Sequence, residues 1–221
     1  HLTLLSNIVG VGNTAVGNLA LTANEAAFNT AVGFRALAGN TVGVGNTAVG
    51  TDALRLNNIG QGNTAVGTNA LQFNTSAFNT AVGLDACGGN TLGIQNTAVG
   101  YNALLANTIG QANVAVGALA LLVNESPGFN IAIGTRAASA SVLGTGNIAI
   151  GDLALEVNDA TSNIAIGRGA AGASVTGVSN IAIGTGALSA NNAGSNIAIG
   201  TGACGASATG ANNIAIGDGA L

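Results

Sequence analysis

The side chains that could carry catalysis are few and dispersed. His1 is the only histidine among 221 residues, so imidazole acid–base catalysis and two- or three-histidine metal sites have almost no material. The aspartates Asp52, Asp85, Asp152, Asp159 and Asp218 stand apart, in neither an EF-hand loop nor a Gly-Gly-x-Gly-x-Asp calcium repeat. A glycosidase needs two carboxyl groups within roughly 5–10 Å, an arrangement that spacing along the chain leaves open. These residues predict a protein that is not an enzyme and uses no cofactor or metal.

Composition narrows the partners. Charged residues make up 5% of the chain, against roughly 25% in an ordinary soluble domain. Four arginines (Arg35, Arg55, Arg136 and Arg168) face eight acidic groups, for a net charge of −4. Without a basic cluster to neutralise phosphates, nucleic acid is not an expected partner. A hydrophobic share of 48% is the opposite of a disordered composition. Gly and Asn interrupt every apolar run well short of the ~18 residues of a membrane helix, so no membrane insertion of this segment is expected.

The elements that must position these residues are announced by a repeat. The string Asn-Thr-Ala-Val-Gly starts at Asn13, Asn29, Asn46, Asn63, Asn79 and Asn96. It becomes Asn-Val-Ala-Val-Gly at Asn113, then Asn-Ile-Ala-Ile-Gly at Asn130, Asn147, Asn163, Asn180, Asn196 and Asn213. Successive starts are 16 or 17 residues apart. With Asn as position 1, position 5 is always glycine: Gly17, Gly33, Gly50, Gly67, Gly83, Gly100, Gly117, Gly134, Gly151, Gly167, Gly184, Gly200 and Gly217. Position 8 is always Ala and is usually followed by Leu. Position 12 is Asn24, Asn40, Asn57, Asn74, Asn90, Asn107, Asn124, Asn158 or Asn191, and otherwise Ser141, Ser174 or Ser207.

A unit this short cannot bury a face alone and must stack on its neighbours. β-Branched residues alternating with Ala, punctuated by Gly, favour strand over helix. The reading is an all-β parallel solenoid of about 13 coils, 16–17 residues per coil, forming one repeat array over residues 1–221. At ~4.8 Å per rung the stack would be roughly 60 Å long. Strand alternation sets positions 2 and 4 on one face and Asn, Ala and Gly on the other. A second short strand is expected at the Ala-Leu pair. A third segment would run through Val42-Gly43, Ile59-Gly60, Leu92-Gly93 and Ile109-Gly110, with glycines at corners of positive φ.

The recurring asparagines suit two roles, a hydrogen-bonded ladder between rungs or left-handed turn geometry. Arg35 and Asp52 fall at position 7 of adjacent coils, and Asp152 and Arg168 at position 6, so both are expected as surface pairs worth at most ~1 kcal/mol. Cys87 and Cys204 share position 9, seven rungs and roughly 34 Å apart, beyond disulfide reach. They read as buried replacements for Leu, with an interchain bond as the alternative. Phe28, Phe78 and Phe129 precede Asn29, Asn79 and Asn130 and are expected to plug the coil corner. Phe34 and Tyr101, both at position 6 but four coils apart, read as packing residues, with carbohydrate stacking as the alternative. The row Thr14, Thr30, Thr47, Thr64, Thr80 and Thr97 resembles the water-ordering rows of ice-binding solenoids. It turns into Val114, Ile131, Ile148 and Ile164, which suits burial against another chain.

The strings Asn130-Ile-Ala-Ile-Gly-Thr-Arg-Ala, Asn180-Ile-Ala-Ile-Gly-Thr-Gly-Ala and Asn213-Ile-Ala-Ile-Gly-Asp-Gly-Ala resemble the head repeat of YadA-like trimeric autotransporter adhesins. Similar Asn-Thr-Ala-Val-Gly repeats occur in phage tail-fibre-like proteins. The resemblance implies a left-handed parallel β-roll, three chains around one axis, and display on a bacterial cell surface to bind host matrix, a surface glycan or other cells. The family coil is about 14 residues and this one is 16 or 17, which leaves room for a third side. These residues show no heptads of a neck or coiled-coil stalk, so the resemblance implies a head alone or a related rod that assembles differently.

Low charge and a repeating apolar row predict self-association. The partner is expected to be the chain itself, as a homotrimer or as an end-to-end filament. Ends that carry no atypical capping repeat predict either a piece of a longer fibre or subunits that stack end to end. Adhesive head and structural fibre remain the two function classes; ice binding is the third and most remote.

Overall fold

The computed structural model describes residues 10–142, 144–173, 176–190, 192–205 and 210–221. His1, and the position 12 residues Ser174, Asn191 and Ser207, lie outside them. Every repeat contributes one three-residue strand, and the strands stack in parallel as a β-solenoid. The chain divides into two compact units, His1–Ala112 and Asn113–Leu221.

Unit 1 holds β1 (Thr14–Val16), β2 (Thr30–Val32), β3 (Thr47–Val49), β4 (Thr64–Val66), β5 (Thr80–Val82) and β6 (Thr97–Val99). They pair in sequence order, Thr on Thr, Ala on Ala and Val on Val. Unit 2 holds β7 (Val114–Val116), β8 (Ile131–Ile133), β9 (Ile148–Ile150), β10 (Ile164–Ile166), β11 (Ile181–Ile183), β12 (Ile197–Ile199) and β13 (Ile214–Ile216). Its ladder is equally in register, from Val114 on Ile131 to Ile197 on Ile214.

The strand is short because position 5 ends it. That glycine has φ between 122° and 138° in every coil, a region closed to residues with a side chain. The expected second strand at Ala-Leu does not form. Positions 7 and 9 both have positive φ, as at Arg35 (54°) and Leu37 (52°), so the chain turns there instead of extending. Four-residue turns follow one another: Ala36 N donates to Gly33 O, Ala38 N to Arg35 O and Asn40 N to Leu37 O. These turns still bond from coil to coil, since Leu37 N donates to Ala53 O at 2.9 Å and Arg35 N to Asn18 O at 3.0 Å. The segment through Val42-Gly43 also forms no strand.

Burial settles which way each face points. Position 3 alanines such as Ala31, Ala48, Ala132 and Ala165 are fully buried, while positions 2 and 4 beside them are half-buried or exposed. Position 8 Ala and position 9 Leu are also buried. The interior of most coils is therefore two alanines, one larger apolar residue and two asparagines; in unit 2 Ala138 and Ala171 replace the larger residue and Ser141 one asparagine. Stacks of one side-chain type, such as Leu37, Leu54 and Leu71, fill it from rung to rung.

Candidate functional site

The interior asparagines use their amides on the protein itself. Position 1 accepts the backbone N–H of the next position 1: Asn29 N donates to Asn13 Oδ1 at 2.8 Å and Asn46 N to Asn29 Oδ1 at 2.9 Å. The same bond recurs through Asn63, Asn79 and Asn96 in unit 1. In unit 2 it runs from Asn130 on Asn113 to Asn213 on Asn196, at 2.8–3.0 Å. The position 1 Nδ2 crosses the coil to a carbonyl near its end, as Asn29 does to Gly43 O at 2.9 Å and Asn46 to Gly60 O at 2.8 Å.

Position 12 forms an amide-to-amide ladder. Asn40 Nδ2 donates to Asn24 Oδ1 at 2.6 Å, Asn57 to Asn40 at 3.1 Å, Asn74 to Asn57 at 3.2 Å and Asn90 to Asn74 at 2.7 Å. Each also donates to the same carbonyl that position 1 reaches, Gly43 O for Asn40 and Gly60 O for Asn57. None of the described position 1 or position 12 asparagines has positive φ. Turn geometry does not explain them; satisfying a narrow polar interior does. In unit 2 Ser141 interrupts the amide row.

The position 5 glycines have a second reason to be bare. A Cβ on Gly33 would lie 2.5 Å from Gly50 O, and one on Gly50 would lie 2.5 Å from Gly67 O. Adjacent coils approach each other through these backbones.

The charges obey the register in part. Arg35 Nη2 and Asp52 Oδ2 are 2.6 Å apart, and Arg55 Nε lies 3.8 Å from Asp52 Oδ1, an ion pair too long for a hydrogen bond. The Arg35 guanidinium also lies 4.7 Å from the Phe34 ring centre. Asp52 is 6% exposed, so this pair is half-sunk and not wholly on the surface. Asp152 and Arg168 form no ion pair among the described residues; Arg136 pairs with Glu156 instead. Both pairs that cross a rung start from position 7, whose side chains reach position 7 or 10 of the next coil.

Cys87 and Cys204 are both 1% exposed and free. Burial pushes the Cys87 thiol up to about 12, which leaves it un-ionised and a poor nucleophile. Among the described residues no cluster of His, Cys, Asp or Glu could hold a metal ion, and no helix is long and apolar enough to cross a membrane.

The exterior carries rows of exposed apolar side chains. Val16, Val66, Val82, Ile133, Ile166, Ile183 and Ile199 stand outward at position 4. Phe28, Phe78 and Phe129 do not plug the corner; each is exposed, with φ near 60° turning its ring out of the coil. No family model, curated protein or solved structure matches the chain. Phe34 and Tyr101 are likewise exposed at position 6. The sequence placed Val42, Ile59, Leu92 and Ile109 on a third segment without showing which way they face, and did not single out Val11, Val44 and Ile94; all seven are exposed around the closing corner of unit 1. The signal was present in their position next to glycines, but a Val-Gly or Ile-Gly pair reads equally well as core.

Proposed function

We propose that this chain is a repeat element of an extracellular bacterial fibre, the head of a trimeric surface adhesin that attaches cells to host matrix or to surface glycans. The observation that carries the reading is the outward direction of positions 2 and 4. Thr/Val pairs give unit 1, and Ile/Ile pairs in all rungs but Val114–Val116 give unit 2, an uncharged strand face whose repeated rungs suit packing on other copies. The resemblance of the Asn-Ile-Ala-Ile-Gly strings to adhesin heads supports three copies around an axis. Packing on other copies would bury the isoleucines of β8 to β13, which are half-buried or exposed in the single chain.

Light scattering on the native chain tests the assembly. A mass that is a multiple of three chains supports the reading, and a monomer or a dimer overturns it. A self-assembling filament subunit, or a tail-fibre shaft, is the second reading. The unbroken 16- or 17-residue period favours it, because no inserted loop offers a receptor-binding surface. Electron microscopy separates discrete particles from filaments.

A further inference from the structure

Unit 1 carries a second exposed apolar surface, along the corner that closes each coil. Position 14 supplies Val42, Ile59, Leu92 and Ile109, each 53–65% exposed. Two coils of this unit, residues 13–28 and 63–78, are one residue short and have no such exposed position. They end instead in Phe28 and Phe78, 64% and 57% exposed. Each ring lies over the bare glycine that ends the coil before, so close that a Cβ on Gly12 or Gly62 would lie 2.8 or 2.9 Å from a ring carbon. The phenylalanines keep the ridge continuous where the shorter coil would break it.

The ridge is not a by-product of the coil. The corner is sparser in unit 2: its short coils end in Ser162 and Ser195, it holds Ser126, Thr145 and Thr176, and among the described residues its exposed large apolar side chains are Phe129 and Val178. With Val11, Val44 and Ile94, nine large apolar side chains line the ridge in unit 1. At roughly 100 Å² of exposed surface each, they amount to about 900 Å². The largest patch on a typical monomer is about 300–600 Å². One partner of a stable interface contributes about 800 Å².

We propose that this ridge is a lateral self-association surface, on which a second copy of this chain seats its own ridge. Knobs repeat at the rung spacing of ~4.8 Å and alternate with glycines, of which Gly45 faces open space. Only another solenoid carries gaps at that repeat. Glu25 is the one charged residue at positions 13 to 17 of unit 1, near one end of the ridge. It borders a shallow groove of about 270 Å³ with Val42 and Val44. A two-fold, antiparallel pairing keeps the two Glu25 carboxylates at opposite ends and closes the contact. This surface is separate from the strand face and does not depend on the assembly proposed for it.

Light scattering of the full native chain tests the ridge, because the two surfaces multiply the mass by different factors. A mass of six copies or two supports the pairing; three copies or one overturns it. The variant Ile59→Ser/Leu92→Ser/Ile109→Ser is expected to halve the mass with an unchanged circular dichroism spectrum, and an unchanged mass overturns the pairing. Should that variant fail to fold, Ile59→Cys decides. Ile59 lies midway along the ridge, next to the two-fold, so the antiparallel pair forms a disulfide-linked dimer under mild oxidation. A chain that stays monomeric on non-reducing gels overturns the proposal.

Discussion

Asn29 Nδ2 donates to Gly43 O at 2.9 Å, joining the first residue of a coil to its closing corner through the interior. The same side chain accepts the backbone N–H of Asn46 on the next rung at 2.9 Å. One amide thus closes its own coil and sets the register of the next. Asn29→Ala should lose about 2–4 kcal/mol, the cost of a buried N–H and a broken cross-brace. Urea denaturation measures it; a loss under ~0.5 kcal/mol would show that the ladder is incidental. Asn29→Asp keeps the acceptor but buries a carboxyl, whose folded pKa burial raises. Its stability should be greatest at low pH and decline as pH rises through that raised value.

Two glycines separate close approach from mere turn geometry. At Gly50 (φ 135°) a Cβ would meet Gly67 O at 2.5 Å, whereas at Gly45 (φ 69°) nothing lies within 4 Å. Gly50→Ala should cost at least ~3 kcal/mol and Gly45→Ala about 1 kcal/mol. Equal melting temperatures for the two variants would refute this account of position 5.

Cys87 supplies a pH dependence with a defined sign. Its thiol is raised to about 12 in the fold, against an ordinary value of ~8.5 when unfolded. The protonated form is favoured by folding, so its contribution is complete below pH ~8.5 and is lost as pH rises toward 12. Cys87→Ala should flatten the alkaline side of the stability profile. In the native chain the thiol should resist alkylation at pH 8 and react fully in denaturant; rapid native labelling would contradict its burial.

The last position of the coil offers a stabilising change. Ser179 is exposed with φ 58°, at a place where Gly146 and Gly45 occur in other coils. Ser179→Gly relieves the left-handed backbone, worth about 1–2 kcal/mol, against roughly 0.4–1 kcal/mol of added unfolded-state freedom. A net gain of up to ~1.6 kcal/mol should appear as a higher melting temperature. A lower one would place the strain elsewhere.

The sequence by itself determined the period, the strand at positions 2 to 4, and the in-register stacking. Four positions kept in phase leave no other way to bury so short a unit. It also placed Arg35 beside Asp52, because a shared position puts residues one rung apart. Three things were decided only in the tertiary structure. Alternation told that Thr and Val oppose Ala, but either face could have been interior; the inside is too narrow for more than Ala and Asn there. Ala-Leu looked like a strand, yet Leu37 and its equivalents adopt positive φ because coil-to-coil bonds hold a turn that local preference disfavours. Phe28 and Phe78 looked like core and stand outside, since the space they would have filled is already taken by the Asn amides bonded across the coil.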